Sequence, residues 1–372
     1  MSSEAPAEPQ FLFENWTSKT SEVPDVLLPP TALQYKYWCH LCAVPCMTLR
    51  ALGVHVKTSE HWVQRAAVSW RPGSETDVVH IGHDMPRLPE QVLKKEGFVV
   101  VKKPPDVCVQ PLLGPSLQEI PALRDRFLKQ HREGAVLQLS DWVWAWVQDQ
   151  FIRQHRQKGI VHRLDQEASG PVLVATTQQA WNKFEEQAEH GYWSATHTAL
   201  VHGVIPPYLS RGCLRYRHAP GEPGGGGAEM VPPWQDNDPL FESDTHYAVR
   251  GYYGRRNRQY TLVQARVLNT GSQCVRAHLN QLGSDLGEIR TGCVSDREYV
   301  EDPCDDASWC PRLFLHCSEL LFSDPTTSKA VRVACPLPPD LRDVLSRLED
   351  DEELNDQLAK VGVGPELFCD YR

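Results

Sequence analysis

The run Gly159-Ile160-Val161-His162-Arg163-Leu164-Asp165-Gln166-Glu167-Ala168-Ser169-Gly170-Pro171-Val172-Leu173-Val174-Ala175 sets a charged cluster between two apolar stretches. Its end, Val172 to Ala175, is continuously apolar and follows the small-residue turn Ala168-Ser169-Gly170, the pattern of a short buried strand. Asp165 is thereby a carboxylate on a loop next to that strand, flanked by Arg163. Taken alone, this is the pattern of a common structural ion pair.

Outward from this loop the pattern stays regular from Val92 to about Leu348. Phe98-Val99-Val100-Val101 reads as a second buried strand, and Tyr260 to Leu268 alternates as a half-exposed strand does. Gln178 to Glu189 is polar with Ala180, Trp181 and Phe184 at helical spacing, which predicts a surface helix. Strands and helices mixed without strict alternation point to an α+β fold. The expected division is a disordered lead over 1–35, a Cys/His segment over 36–62, a linker over 63–88 and one large domain over 89–348. An insertion near 218–240 holds Gly221-Glu222-Pro223 and Gly224 to Gly227, and a solvated acidic tail is expected over 349–372.

The 372 residues are 41% hydrophobic and 23% charged, as in ordinary globular proteins. No apolar run approaches the roughly 20 residues of a membrane-spanning helix. The first residues carry acids and neither a basic cluster nor an apolar stretch, so an intracellular protein of nucleus or cytoplasm is expected, with an organelle left open. In such a compartment twelve cysteines imply reduced thiols or metal ligands. The net charge of −10 argues against nucleic-acid binding by the whole surface. The charge is uneven, however. Bases gather at Arg153, Arg156, Lys158 and Arg163 and again at Arg250, Arg255, Arg256 and Arg258, whereas acids crowd Glu298 to Asp306 and Glu349 to Glu353. Local basic faces of this kind suit RNA.

Cys39, Cys42, His55 and His61 are spaced C-x2-C-x12-H-x5-H, within the range of a tetrahedral zinc site. A two-residue gap aims both thiolates at one ion, and the longer gap lets a helix bring two imidazoles to the same point. The pattern resembles a matrin/JAZ-type zinc finger, a small ββα-like unit of a class associated with double-stranded RNA, although Cys46 stands where a large apolar residue is usual. A segment this short has almost no core without the metal, so structural zinc would contribute folding energy directly.

The Asp165 run is also similar to the hallmark of RluA-type pseudouridine synthases, HRLD-x-x-[TS]-SG followed by an apolar strand, with only Ala168 departing nearby. The likeness continues in order. Phe98 to Lys103 with Pro104 resembles the family's strand ending in K-P, and Ala199-Leu200-Val201-His202-Gly203 resembles a later strand. Thr270-Gly271 through Arg276-Ala277-His278-Leu279 resembles TGR-x-HQIR-x-HL. Arg312-Leu313-Phe314-Leu315-His316, Leu320-Leu321-Phe322 and Pro336-Leu337-Pro338 resemble the closing pattern. About 250 residues are covered. The fold implied is a mixed, largely antiparallel sheet with flanking helices.

The activity implied is isomerisation of uridine to pseudouridine in structured RNA, tRNA or rRNA, with no cofactor for catalysis. The resemblance makes Asp165 the nucleophile and Arg276 its cationic partner. His197 falls where the family places a tyrosine beneath the target base, and Arg163, His162 and Lys103 are the expected RNA contacts. Besides His197, two departures stand out: the segment before Arg276 is one residue short, and the family's GD-x-x-YG turn reads Ser295-Asp296-Arg297-Glu298-Tyr299-Val300. A non-catalytic RNA-binding or ribonucleoprotein-assembly factor on the same fold is the alternative.

Overall fold

The computed structural model describes residues 37–38, 45–46, 76–109 (without 83 and 86), 120–189 (without 135, 148 and 156), 193–218, 230–231, 241–267, 274–285, 292–299 and 306–360. The four expected zinc ligands, the disordered lead and most of the Gly-rich insertion lie outside the described residues. Two short strands, β1 (Tyr37–Trp38) and β2 (Pro45–Cys46), pair antiparallel and bracket the Cys39–Cys42 segment in sequence.

Two sheets then build the α+β domain. In the smaller, β4 (Glu90–Lys95), β5 (Phe98–Lys103) and β8 (Gly170–Ala175) run antiparallel. Strands β6 (Val107–Cys108) and β7 (Leu137–Gln138) pair separately. Between β7 and β8 come the helices α2 (Leu139–Val147) and α3 (Gln150–Gln154), and α1 (Ile120–Arg132) packs on α2. The larger sheet uses β3 (Thr76–His80), β9 (Ser194–His202), β10 (Arg211–His218), β11 (Met230–Val231), β12 (Phe241–Arg255), β13 (Arg258–Val267), β14 (Leu315–Ser323) and β15 (Ala330–Ala334). Their order is β11-β10-β12-β13-β9-β14-β15-β3, antiparallel except for β15 with β3. A mixed, largely antiparallel sheet is what the family resemblance implies.

The two sheets share one core. Phe98 of β5, Phe322 of β14 and Phe184 of α4 (Gln178–Glu189) meet edge to face, with centroids 5.4 to 5.9 Å apart. Aromatic pairs in this geometry add about 0.5–1.5 kcal/mol beyond their buried area. The polar face of α4 stays exposed, as its spacing predicts. Among the described residues no helix is long and apolar enough to cross a membrane.

Three expectations need correction. Tyr260 to Val267 is buried on both faces, not half exposed, because Val263, Ala265 and Val267 enter the main core while Tyr260 and Leu262 meet a second apolar layer. That layer includes Trp309, Phe314 and the helix α6 (Pro339–Ser346). The expected linker ends early, because β3 is an integral edge strand and Ile81 is buried. The acidic stretch after 348 keeps most of its acid side chains exposed, as expected, but its backbone is docked: β16 (Glu349–Asp350) pairs with β12, and α7 (Glu352–Lys360) buries Leu358. Asn355 Oδ1 of α7 accepts from Tyr252 N at 2.9 Å, which gives those acids a fixed scaffold.

Gly170 fixes the seam between the sheets. Cys317 N donates to Ser169 O at 2.7 Å, and Gly170 has φ +134°. A Cβ at this position would lie 2.4 Å from the Cys317 carbonyl oxygen. Gly170→Ala is therefore expected to destabilise the domain by about 3 kcal/mol or more. Urea unfolding measures it; a loss below about 1 kcal/mol would contradict this seam.

Candidate active site

The loop from Val161 to Ser169 is pinned at each end before it presents Asp165. Val161 N bonds Leu173 O, Ala175 N bonds Gly159 O, and Ala168 N closes a turn onto Asp165 O at 3.1 Å. Lys103 Nζ donates to the carbonyls of Pro104, Val107 and Gln166, the last 2.9 Å away and directly after Asp165. Arg312 holds the far side through Ser169 Oγ at 3.1 Å and is itself anchored by Asp340 at 2.7 Å.

Asp165 meets Arg276, not its neighbour Arg163. Arg276 Nη1 is 3.5 Å from Asp165 Oδ1, and both side chains are nearly buried. The arginine comes from α5 (Cys274–Asp285), whose Val275, Leu279 and Leu282 bury the same helix in the core. Its fork is oriented by Asp296, with Nε to Oδ2 at 2.7 Å and Nη2 to Oδ1 at 2.5 Å. Glu298 approaches Nη2 at 3.2 Å, and the Tyr299 ring lies 5.2 Å from the guanidinium carbon. Three carboxylates thus surround one guanidinium.

Burial raises the Asp165 pKa above the ordinary carboxylate value, Arg276 pulls it down, and Asp296 pushes it up again. Burial would lower the Arg276 pKa, but its bonds to Asp296 and the charge of Asp165 outweigh that and keep it protonated. Burial pushes the Tyr299 phenol up to about 12, so its hydroxyl, which has no hydrogen-bond partner among the described residues, is neutral.

The remaining expected site residues divide by burial. Arg163 is half-buried on the Asp165 loop. Lys103 is fully enclosed, its ammonium committed to three carbonyls and lowered by burial to about 7, so it positions the loop and does not present itself to RNA. His162 is likewise buried: Nδ1 accepts from Leu173 N at 3.4 Å, its ring lies tilted against Trp193 with centroids 4.8 Å apart, and burial pushes its pKa down to about 3. His197, in β9 between Ala265 and Cys317, is buried and lowered by burial to about 4. It acts electrostatically on His162 and His316, and no hydrogen bond or ion pair joins it to Asp165. Asp296 is the residue that sequence reasoning missed as a partner. Its signal was present in the Ser295–Val300 turn, read only as a departure. Among the described residues no group of three or more His, Cys, Asp or Glu side chains could hold a metal.

Residues 97–281 match the family model described as RNA pseudouridylate synthase. The chain is 27% identical over 199 residues to "Ribosomal large subunit pseudouridine synthase C" of Escherichia coli O6:H1, covering 51% of this chain and 56% of that protein. It is 25% identical over 205 residues to "Ribosomal large subunit pseudouridine synthase D" of Xanthomonas campestris, covering 54% and 58%. The chain thus spans little more than half the length of the curated relatives it matches. The solved structure "Human RNA Pseudouridylate Synthase Domain Containing 1" is similar at TM-score 0.47 and 18% identity, covering 74% of this chain and 96% of that one.

Proposed function

We propose that this chain isomerises uridine to pseudouridine in a structured RNA, with Asp165 as the nucleophile, a reading supported by the match of residues 97–281 to the RNA pseudouridylate synthase family model and by the likeness to ribosomal pseudouridine synthases. The observation that carries this reading is the buried Asp165–Arg276 pair inside the matched domain. The reaction breaks the N1–C1′ bond, turns the base and rejoins it through C5, so the target must first leave its stack. A carboxylate is a competent nucleophile when it is ionised and fixed in place. Arg276 favours its ionised form, while Lys103 and Arg312 hold the loop that carries it. Arg163, on that loop, is the proposed contact to the RNA. Between tRNA and rRNA, the likeness to ribosomal large subunit pseudouridine synthases favours ribosomal RNA. The test is mass spectrometry of unmodified rRNA and tRNA transcripts incubated with the protein. Pseudouridine at a defined position is expected in at least one; binding without product would favour an RNA-assembly factor.

We further propose that Cys39, Cys42, His55 and His61 hold a structural zinc ion, a reading supported by their spacing and by the β1–β2 pairing around the two cysteines. Purified full-length protein should then contain about one zinc per chain. Cys39→Ser/Cys42→Ser should lose it, measured by elemental mass spectrometry. Equal metal content in both proteins would sink the assignment.

A further inference from the structure

We propose that Tyr299 is a further catalytic residue, whose hydroxyl donates a hydrogen bond to a carbonyl oxygen of the target uracil as negative charge builds there. The inference rests on the pseudouridine reading above. The 292–299 turn fixes this side chain from both ends. Asp296 Oδ1 accepts from Glu298 N at 3.0 Å and from Tyr299 N at 3.2 Å, which holds the backbone. The ring lies against Arg276, 5.2 Å from the guanidinium carbon. Only the hydroxyl is left over. It is enclosed and has no hydrogen-bond partner among the described residues, although the residue carrying it is partly exposed. Burial first, and then the charges of Glu298, Asp296 and Asp165, disfavour its ionised form, yet it donates to none of these three acceptors. A buried donor without an acceptor lowers stability, and a site can carry that cost when the acceptor arrives with the substrate.

The reaction supplies that acceptor. Attack of Asp165 at C1′ expels the base with the N1–C1′ electron pair, and the charge spreads onto O2 and O4. Attack at C6 pushes the C5–C6 pair toward O4. On either route a uracil carbonyl oxygen becomes more negative before C5 bonds to C1′ and the carboxylate is released. C5 then gives up its proton to solvent and N1 takes one from it, while the phenol keeps its own. The negative oxygen develops beside Asp296 and Glu298, which repel it, and Arg276 is already committed to Asp165, Asp296 and Glu298. A neutral donor is what these surroundings need. Preorganised donors aimed at developing charge cost no reorganisation when the charge appears. Enclosure keeps water off the hydroxyl, so no solvent bond is broken when the base arrives. Asp165 is itself only 11% exposed, so admitting a base to it takes an opening that reaches its neighbours.

The experiment uses the full chain with unmodified rRNA and tRNA transcripts, reading the rate at saturating RNA, RNA affinity and melting temperature. Tyr299→Phe removes the hydroxyl alone. Its rate should fall about 30-fold, the loss of one hydrogen bond to a charged acceptor, while affinity stays within about twofold. Its melting temperature should equal or exceed that of the wild type, because an unpartnered buried donor is gone. The acid limb of its rate–pH profile should stay where the wild type has it, since the phenol does not titrate there. Tyr299→Leu also loses the ring against Arg276, so it should be as slow and melt lower. The phenylalanine thus restores stability without restoring activity, which a purely structural tyrosine would not show. A Tyr299→Phe protein as fast as the wild type would overturn the proposal. So would one that melts as low as Tyr299→Leu, because the hydroxyl would then have a structural partner. A wild type that forms no pseudouridine would overturn the function reading and this role with it, whereas an active wild type matched by Tyr299→Phe removes the role alone.

Discussion

Asp165→Asn is expected to lower pseudouridine formation by about 10⁴-fold or more, while RNA affinity stays within about twofold. The neutral amide keeps the shape of the side chain but is no nucleophile, and Arg276 retains Asp296 and Glu298 as partners. The same substitution should make the protein more stable near neutral pH. Burial raises the Asp165 pKa in the folded state, so ionising it opposes folding. Below the ordinary carboxylate range both states are protonated and the penalty is absent. It grows as pH rises through that range toward the raised folded value. The melting temperature of Asp165→Asn should therefore exceed that of the wild type at pH 8, and the gap should close on acidification. Calorimetry at the two extremes checks this. An active variant would remove Asp165 from the chemistry. A variant less stable at pH 8 would show that the Arg276 pair outweighs the burial cost.

That opposition between stability and activity was only half legible in the sequence. The Asp165 loop could be read because its signals are local: an apolar strand, a small turn and a charged cluster within seventeen residues. Its partners could not be placed by local reasoning, because Arg276 and Asp296 reach it from distant segments and are brought together only by the packing of α5 and the 292–299 turn. Lys103 shows the reverse failure. A lysine ending an apolar strand reads as a surface cation, yet the chain folds three carbonyls around its ammonium. The alternation of Tyr260 to Val267 misled for a related reason, since α6 and Trp309 supply a second apolar layer that no periodicity within the strand announces. The acidic run after residue 348 looked solvated because its charges are indeed exposed, but its backbone pairs with β12 and one face of α7 is anchored. Composition reports the side chains and is silent on the ladder beneath them.

Arg276→Gln should have the second largest effect, with a sign that separates electrostatics from packing. Arg276 lowers the Asp165 pKa against the pull of burial, so its removal lets that pKa rise further. The acid limb of the rate–pH profile should move to higher pH, and the rate at neutral pH should fall by about 10²-fold, the usual loss when one preorganised charge-stabilising donor is removed. Stability should fall by roughly 3–5 kcal/mol, because Asp296, fully buried, is left without its cation. Asp296→Asn provides the opposing test. Asp296 raises the Asp165 pKa, so the amide should shift the acid limb to lower pH, and its Oδ1 can still accept from Glu298 N and Tyr299 N. Limbs moving in opposite directions in the two variants would establish Arg276 and Asp296 as a tuned pair acting on the Asp165 charge. Limbs that stay fixed while both rates fall would mean that the pair only holds the turn in place, and that some other group ionises as the rate rises.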